Sequence, residues 1–180
     1  MLLNNNIQKV LKIFFDSPTK EFHLRETAKI TKLSTTAVNN AIKILLRENL
    51  IIKHKRGVYD IHQANRKGEC FKEMKKFYNV HNLRHSGFVS FLQSEFNYPE
   101  VIILFGSSSK GEDTEESDFD IFLLGQKKDV DVSTYEKKLD RKIRLLVMDA
   151  NEFESAKKKN PELVNNISNG IIIKGYLKVV

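Results

Sequence analysis

Cysteine is nearly absent: Cys70 is the only one in 180 residues. An intrachain disulfide is therefore excluded, and a reducing cytoplasm is the simplest compartment. Cys70 falls in a helical pattern and reads as a small packing residue rather than a nucleophile. No apolar run approaches the roughly 20 residues of a membrane-spanning helix. The N-terminus lacks a signal-peptide pattern as well, so a cytoplasmic protein with no membrane partner is expected. Internal repeats and low-complexity tracts are missing. Metal-ligand clusters are scarce: His81 and His85 stand four apart, but no third ligand accompanies them and the sequence is not HExxH, which favours ordinary surface histidines.

Charge is present and unevenly spread. Residues 1–95 hold 17 Lys and Arg against 8 Asp and Glu, net +9, whereas residues 96–180 hold 13 against 15, net −2. A basic first part beside a mildly acidic second part suggests a nucleic-acid surface on the N-terminal side, with lysine-rich solvated helices as the plainer alternative. The length suits one or two compact domains.

The most informative stretch is 104–124, LFGSSSKGEDTEESDFDIFLL. An apolar run from Val101 to Phe105 ends at Gly106-Ser107, a polar loop follows, and Ser117, Asp118 and Asp120 open a second apolar run. Alternation along a strand projects Asp118 and Asp120 the same way, so they can share a cation. Gly106 lets backbone approach a ligand closely, and Ser107 can cap a helix whose free N–H groups attract phosphate. A phosphate cradle facing a carboxylate pair is what nucleotidyl transfer requires.

This pattern, GSxxxG followed by SDxD and apolar residues, resembles the nucleotidyltransferase superfamily that includes DNA polymerase beta, in particular its small prokaryotic members. Gly106, Ser107, Gly111, Ser117, Asp118 and Asp120 meet it, with Lys110 where a basic residue is common. KIRLLVMDANEF from Lys142 and NPELVNNISNGIIIKG from Asn160 resemble the family's third strand and its terminal helix and strand, so the likeness covers roughly residues 96–176. It implies an NTP substrate with Mg²⁺ or Mn²⁺: Asp118 and Asp120 as catalytic metal ligands, and Gly106, Ser107, Lys110, Gly111 and Ser117 at the nucleotide. The family usually places a third carboxylate on the later strand. Arg144 stands there, between Ile143 and Leu145, a swing of two charge units. It is expected to pair with Asp118 or Asp120 and to compete with metal, blocking the site. Asp149, five residues on, has the opposite strand parity; Asp140 has the right parity but lies about 13 Å back along a strand.

Upstream, Ile7, Val10, Leu11 and Phe14 recur at helical spacing and the helix ends near Ser17-Pro18. HLRETAKIT gives a second helix with Leu24 and Ala28 inward. Ser34 can cap a third, which turns Val38, Ala41, Ile42 and Leu45 inward and Thr35, Thr36, Asn39, Asn40 and Lys43 outward. Two strands, Leu50–Lys53 and Val58–Ile61, flank a turn at Arg56-Gly57. Residues 5–63 closely resemble the winged helix-turn-helix domains of prokaryotic transcription regulators. That resemblance implies base contacts from Thr35, Thr36, Asn39 and Asn40, and phosphate contacts from Lys43, Lys53, Lys55 and Arg56.

Residues 68–95 carry Phe71, Met74, Phe77, Tyr78, Phe88, Phe91 and Leu92 without proline and read as a long helix or a helix pair, with the aromatics as core or dimer packing. The expected architecture is α+β: a winged helix-turn-helix domain (1–66), a helical connector (67–95) and a nucleotidyltransferase-fold mixed sheet with flanking helices (96–180). Two functions stay open. One is metal-dependent transfer of a nucleoside monophosphate to a macromolecular acceptor, such as a partner toxin protein. The other is a catalytically degenerate transcriptional regulator or antitoxin-like protein that senses nucleotide or binds a partner. DNA is the expected partner, and a homodimer is plausible by analogy with winged-helix regulators.

Overall fold

The computed structural model describes residues 6–177 and is α+β, and the chain divides into two compact units, Met1–Lys75 and Lys76–Val180. Among the described residues, no helix is long and apolar enough to cross a membrane.

In the first unit, α1 (Asn6–Asp16) buries Val10, Leu11, Ile13, Phe14 and Phe15. A short strand, β1 (Glu21–His23), leads into α2 (Leu24–Thr31). Thr27 and Ala28, rather than Leu24, are the buried residues of α2. The Thr27 hydroxyl can go inside because it donates to the His23 carbonyl at 3.0 Å. Lys32 at φ +56° ends α2, and Ser34 caps α3 (Thr35–Arg47) by accepting from the Ala37 N–H at 3.2 Å. Helix α3 buries Val38, Ala41, Ile42 and Leu45. Strands β2 (Ile51–Arg56) and β3 (Tyr59–Ala64) form a hairpin, with β1 on the other side of β3 in the order β1-β3-β2, all antiparallel. Two sequence expectations change here. The hairpin turn falls at Gly57-Val58, not Arg56-Gly57, because Arg56 pairs with Tyr59 and Gly57 takes φ +62°. Strand β1 was not foreseen, since three residues carry no readable alternation.

Helix α4 (Glu69–His85) contains the boundary between the units. Its first turns belong to the first unit: the Phe71 ring lies 5.3 Å from that of Phe15, and Lys75 Nζ donates to the Phe15 carbonyl at 2.5 Å. Cys70 is exposed there, not packed as the helical pattern suggested.

The second unit continues with α5 (Phe88–Glu95), β4 (Val101–Phe105), α6 (Gly106–Lys110), β5 (Phe119–Leu124), α7 (Ser133–Leu139), β6 (Ile143–Met148), α8 (Ala150–Lys159), α9 (Pro161–Ser168) and β7 (Ile171–Gly175). The sheet order is β6-β5-β4-β7; β5 and β6 run parallel, the other pairs antiparallel. Strand β4 is buried on both faces, which is why it reads as an unbroken apolar run rather than an alternation. Ile102 and Leu104 cluster with Leu83, Phe88 and Leu92, whereas Val101, Ile103 and Phe105 cluster with Phe153, Val164 and Ile167. The helix pair over 69–95 thus supplies core residues.

Candidate functional site

Strand β4 delivers the chain to Gly106, where φ is +70° and an added Cβ would lie 2.4 Å from Asp120 Oδ2. Only glycine fits both constraints. Phe105, not Ser107, occupies the N-cap of α6, with no side-chain cap; Ser107 is the second residue of this five-residue helix. The capping role expected of Ser107 therefore falls away, because the helix starts two residues earlier than a Ser107 cap would require. The hydroxyls that shape the turn are those of its neighbours: Ser109 Oγ donates to the Gly106 carbonyl at 2.8 Å and Ser108 Oγ to the Asp118 carbonyl at 3.2 Å. Lys110 is exposed at the end of α6, and Gly111 closes it at φ +69°, its N–H bonded to the Ser107 carbonyl. Ser117 holds the loop by accepting from the Thr114 N–H at 2.9 Å.

Asp118 sits immediately before β5 and Asp120 is its second residue. Asp120 is flanked in register by Phe105 on β4 and Arg144 on β6. That register puts Arg144 on the carboxylates: its guanidinium donates to Asp118 Oδ2 at 2.8 Å and to Asp120 Oδ1 at 3.3 Å. The Arg144 side chain is 69% exposed, against 30% for Asp118 and 17% for Asp120. Burial pushes the Asp120 carboxyl above the usual carboxylate range; Arg144 pulls it down and Asp118 adds to the rise. Burial wins because the compensating cation is mostly in water, where its field is screened. Neither of the other carboxylates considered for the third position lies on β6. Asp149 caps α8, accepting from the Glu152 N–H at 2.8 Å, and Asp140 ends α7 at φ +51°.

Asp118 and Asp120 both present carboxylate oxygens to one guanidinium, the donor chemistry a hard divalent cation also takes. Mg²⁺ is ordinarily held by one or two carboxylates plus substrate phosphates. The pair fits such an ion arriving with a triphosphate. It does not make a complete cage: among the described residues, no group of three His, Cys, Asp or Glu could hold a metal. His81 and His85 stack on each other at 5.6 Å between ring centroids.

Sequence reasoning missed a buried network behind the loop. Asp113 is fully buried; its carboxylate accepts from Arg141 at 2.5 Å and from Asn79 Nδ2 at 2.8 Å. Asn79 Nδ2 also donates to the Ser108 carbonyl at 2.9 Å, and the Arg141 guanidinium lies 5.0 Å over the Phe119 ring. The network thus pins the loop from Ser108 to Phe119. In sequence Asp113 is one of several acidic loop residues, and nothing local marks it as the buried one.

In the first unit, Thr35, Thr36, Asn40 and Lys43 are exposed on α3, while Asn39 is half-buried. Lys53 pairs with Asp60 at 3.1 Å, Arg56 with Glu21 at 3.3 Å, and Lys55 faces Asp60 across the hairpin. The eight residues share the surface of α3 and the hairpin, with part of the hairpin's positive charge offset by those acids.

Residues 89–176 match the family model for polymerase beta, nucleotidyltransferase. The matched stretch holds the Gly106 turn, both aspartates and Arg144. No curated protein matches the chain.

Proposed function

We propose that the chain is a nucleotidyltransferase that takes a nucleoside triphosphate with Mg²⁺ or Mn²⁺ and transfers the nucleoside monophosphate to a hydroxyl of a macromolecular acceptor. The carrying observation is the Asp118–Asp120 pair set against the Gly106 turn, inside the segment matched by the family. A bound divalent cation would neutralise charge on the attacking and leaving oxygens. Asp118 and Asp120 would hold it. The Gly106–Gly111 turn and the exposed Lys110 would receive the phosphates, and Ser117 keeps the loop before Asp118 in shape. The acceptor oxygen attacks the α-phosphorus, the bond from that phosphorus to the bridging oxygen breaks, pyrophosphate leaves and the hydroxyl proton is released. A cleft of about 500 Å³ beside Asp118, lined by Glu115, Ser117, Glu136, Asp140 and Arg141 among others, offers room next to the reacting centre.

The first unit is, in this proposal, a winged helix-turn-helix domain that binds DNA. Helix α3 would read bases through Thr35, Thr36, Asn39 and Asn40, and Lys43, Lys53, Lys55 and Arg56 would neutralise phosphates. The net +9 of residues 1–95 and the exposure of these side chains, the half-buried Asn39 excepted, support it. A second reading has its own support, the two bonds from Arg144 to the aspartates. It makes the protein a regulator or antitoxin-like protein that binds nucleotide or a partner without transferring.

Transfer of radiolabel from α-labelled ATP or GTP, with Mn²⁺ or Mg²⁺ and a cell extract as acceptor source, tests the first reading. Label should appear with the wild type and vanish with Asp118→Asn, while salt-dependent DNA binding is unchanged. Transfer surviving in the variant would sink the metal assignment, and no transfer by the wild type would leave the second reading.

A further inference from the structure

We propose that Arg144 is a triphosphate ligand that leaves the Asp118–Asp120 pair when nucleotide arrives, so that the divalent cation and the nucleoside triphosphate load together and neither loads well alone. The inference rests on the nucleotide-site reading above and adds an order to it. The unloaded site is internally matched: two carboxylates share one guanidinium at 2.8 and 3.3 Å. A bare cation must displace that guanidinium and gains no new partner for it. A bare triphosphate attracts Arg144 but meets two carboxylates left without a counter-charge. The metal–triphosphate complex resolves both conflicts, since the cation takes the aspartates and the phosphates take the arginine. A guanidinium suits this exchange because its planar fork fits carboxylate and phosphate oxygens alike.

The geometry permits the move. Arg144 is 69% exposed, so swinging it breaks no packed core and desolvates little. Phe105, Asp120 and Arg144 form one row across β4, β5 and β6. Two strand spacings, about 10 Å, therefore separate the Arg144 backbone from the strand end where the Gly106 turn begins. The side chain already reaches β5, where it bonds Asp120 Oδ1, while Gly106 abuts the other oxygen, Oδ2.

The test measures Mn²⁺ binding by electron paramagnetic resonance without and with ATP or GTP, and nucleotide binding by calorimetry without and with Mn²⁺. The full chain is used as wild type, Arg144→Ala and Arg144→Lys, with circular dichroism to confirm folding. In the wild type each ligand should tighten the other by about tenfold or more. Arg144→Ala should bind Mn²⁺ alone more tightly, bind nucleotide alone more weakly, and lose most of the mutual enhancement. Arg144→Lys should keep part of it, as a point charge without the fork. Equal enhancement in wild type and Arg144→Ala, with nucleotide still bound, would overturn the role of Arg144 and leave the nucleotide site standing. Failure of every variant to bind nucleotide at any Mn²⁺ concentration would overturn both.

Discussion

Replacing Asp113 by Asn is the sharpest test of what holds the candidate site in place. The change keeps the side chain's size and removes its charge. Two donors meet its carboxylate, Arg141 at 2.5 Å and Asn79 Nδ2 at 2.8 Å. An amide offers one oxygen and one NH₂, so one contact becomes donor against donor. The Arg141 side chain, only 9% exposed, is left as a buried cation without its counter-ion. Breaking a buried pair from one side costs about 3–5 kcal/mol. For a unit the size of Lys76–Val180, at about 4 °C per kcal/mol, Tm should fall by roughly 12–20 °C. Differential scanning calorimetry is the assay, because the two units can unfold as separate transitions and only the second should shift. Replacing both partners together, Asp113→Leu with Arg141→Met, should recover much of the loss, since an apolar pair leaves no orphaned charge. A shift of less than about 4 °C in Asp113→Asn, below about 1 kcal/mol by the same conversion, would refute the assignment of Asp113 as the loop's anchor.

His62 predicts a pH dependence in the other unit. It is buried on β3, its Nδ1 has no hydrogen-bond partner among the described residues, and burial holds its pKa below the ordinary value, against an opposing hydrogen bond with the Phe22 backbone. A depressed folded-state pKa means stability that is present above the unfolded value and lost as pH falls toward the folded one. The first unit should therefore weaken below about pH 6.5, by at most about 1.4 kcal/mol per pH unit from this group. Thermal scans between pH 7 and 5 should show a shallower slope in His62→Leu, and an unchanged slope would exonerate His62. Gly106→Ala should cost about 1–3 kcal/mol from its φ of +70° and push Asp120 aside, since the new Cβ falls 2.4 Å from Oδ2. A variant with wild-type Tm and wild-type Mn²⁺–ATP affinity would count against the close approach.

Much of the site was legible because its residues announce themselves locally. Gly106, Asp118 and Asp120 sit at the ends of two apolar runs, and the strand context follows from those runs. Arg144 stood out because its parity and flanking apolar residues place it where a carboxylate is usual. Asp113, Asn79 and Arg141 were illegible for the opposite reason: they come from three distant segments, and pairing across 28 and 34 positions leaves no local trace. Strand β1 was missed because its pairing, not its composition, makes it a strand: Glu21, Phe22 and His23 pair in register with Gln63, His62 and Ile61. Ser107 was misread through a two-residue shift of the helix start, an error within the usual uncertainty of helix ends.

The charge at the site gives Arg144→Asp a distinct outcome. Asp118, Asp120 and Arg144 carry a net charge of −1 when all are ionised; a third carboxylate at position 144 makes it −3. The wild-type site needs no ion to stand unloaded, because the guanidinium already bonds both aspartates. The variant site does, since its three carboxylates would repel one another. In chelator, Arg144→Asp should therefore melt below the wild type, and the deficit should close as Mn²⁺ is added. At a concentration about 100 times the dissociation constant the ion contributes about 2.7 kcal/mol. The wild type should respond far less to Mn²⁺ alone, since Arg144 holds the same oxygens. A Tm for Arg144→Asp that is equal in chelator and in Mn²⁺ would mean that position 144 does not converge with the aspartates on a cation, whatever the side chain placed there.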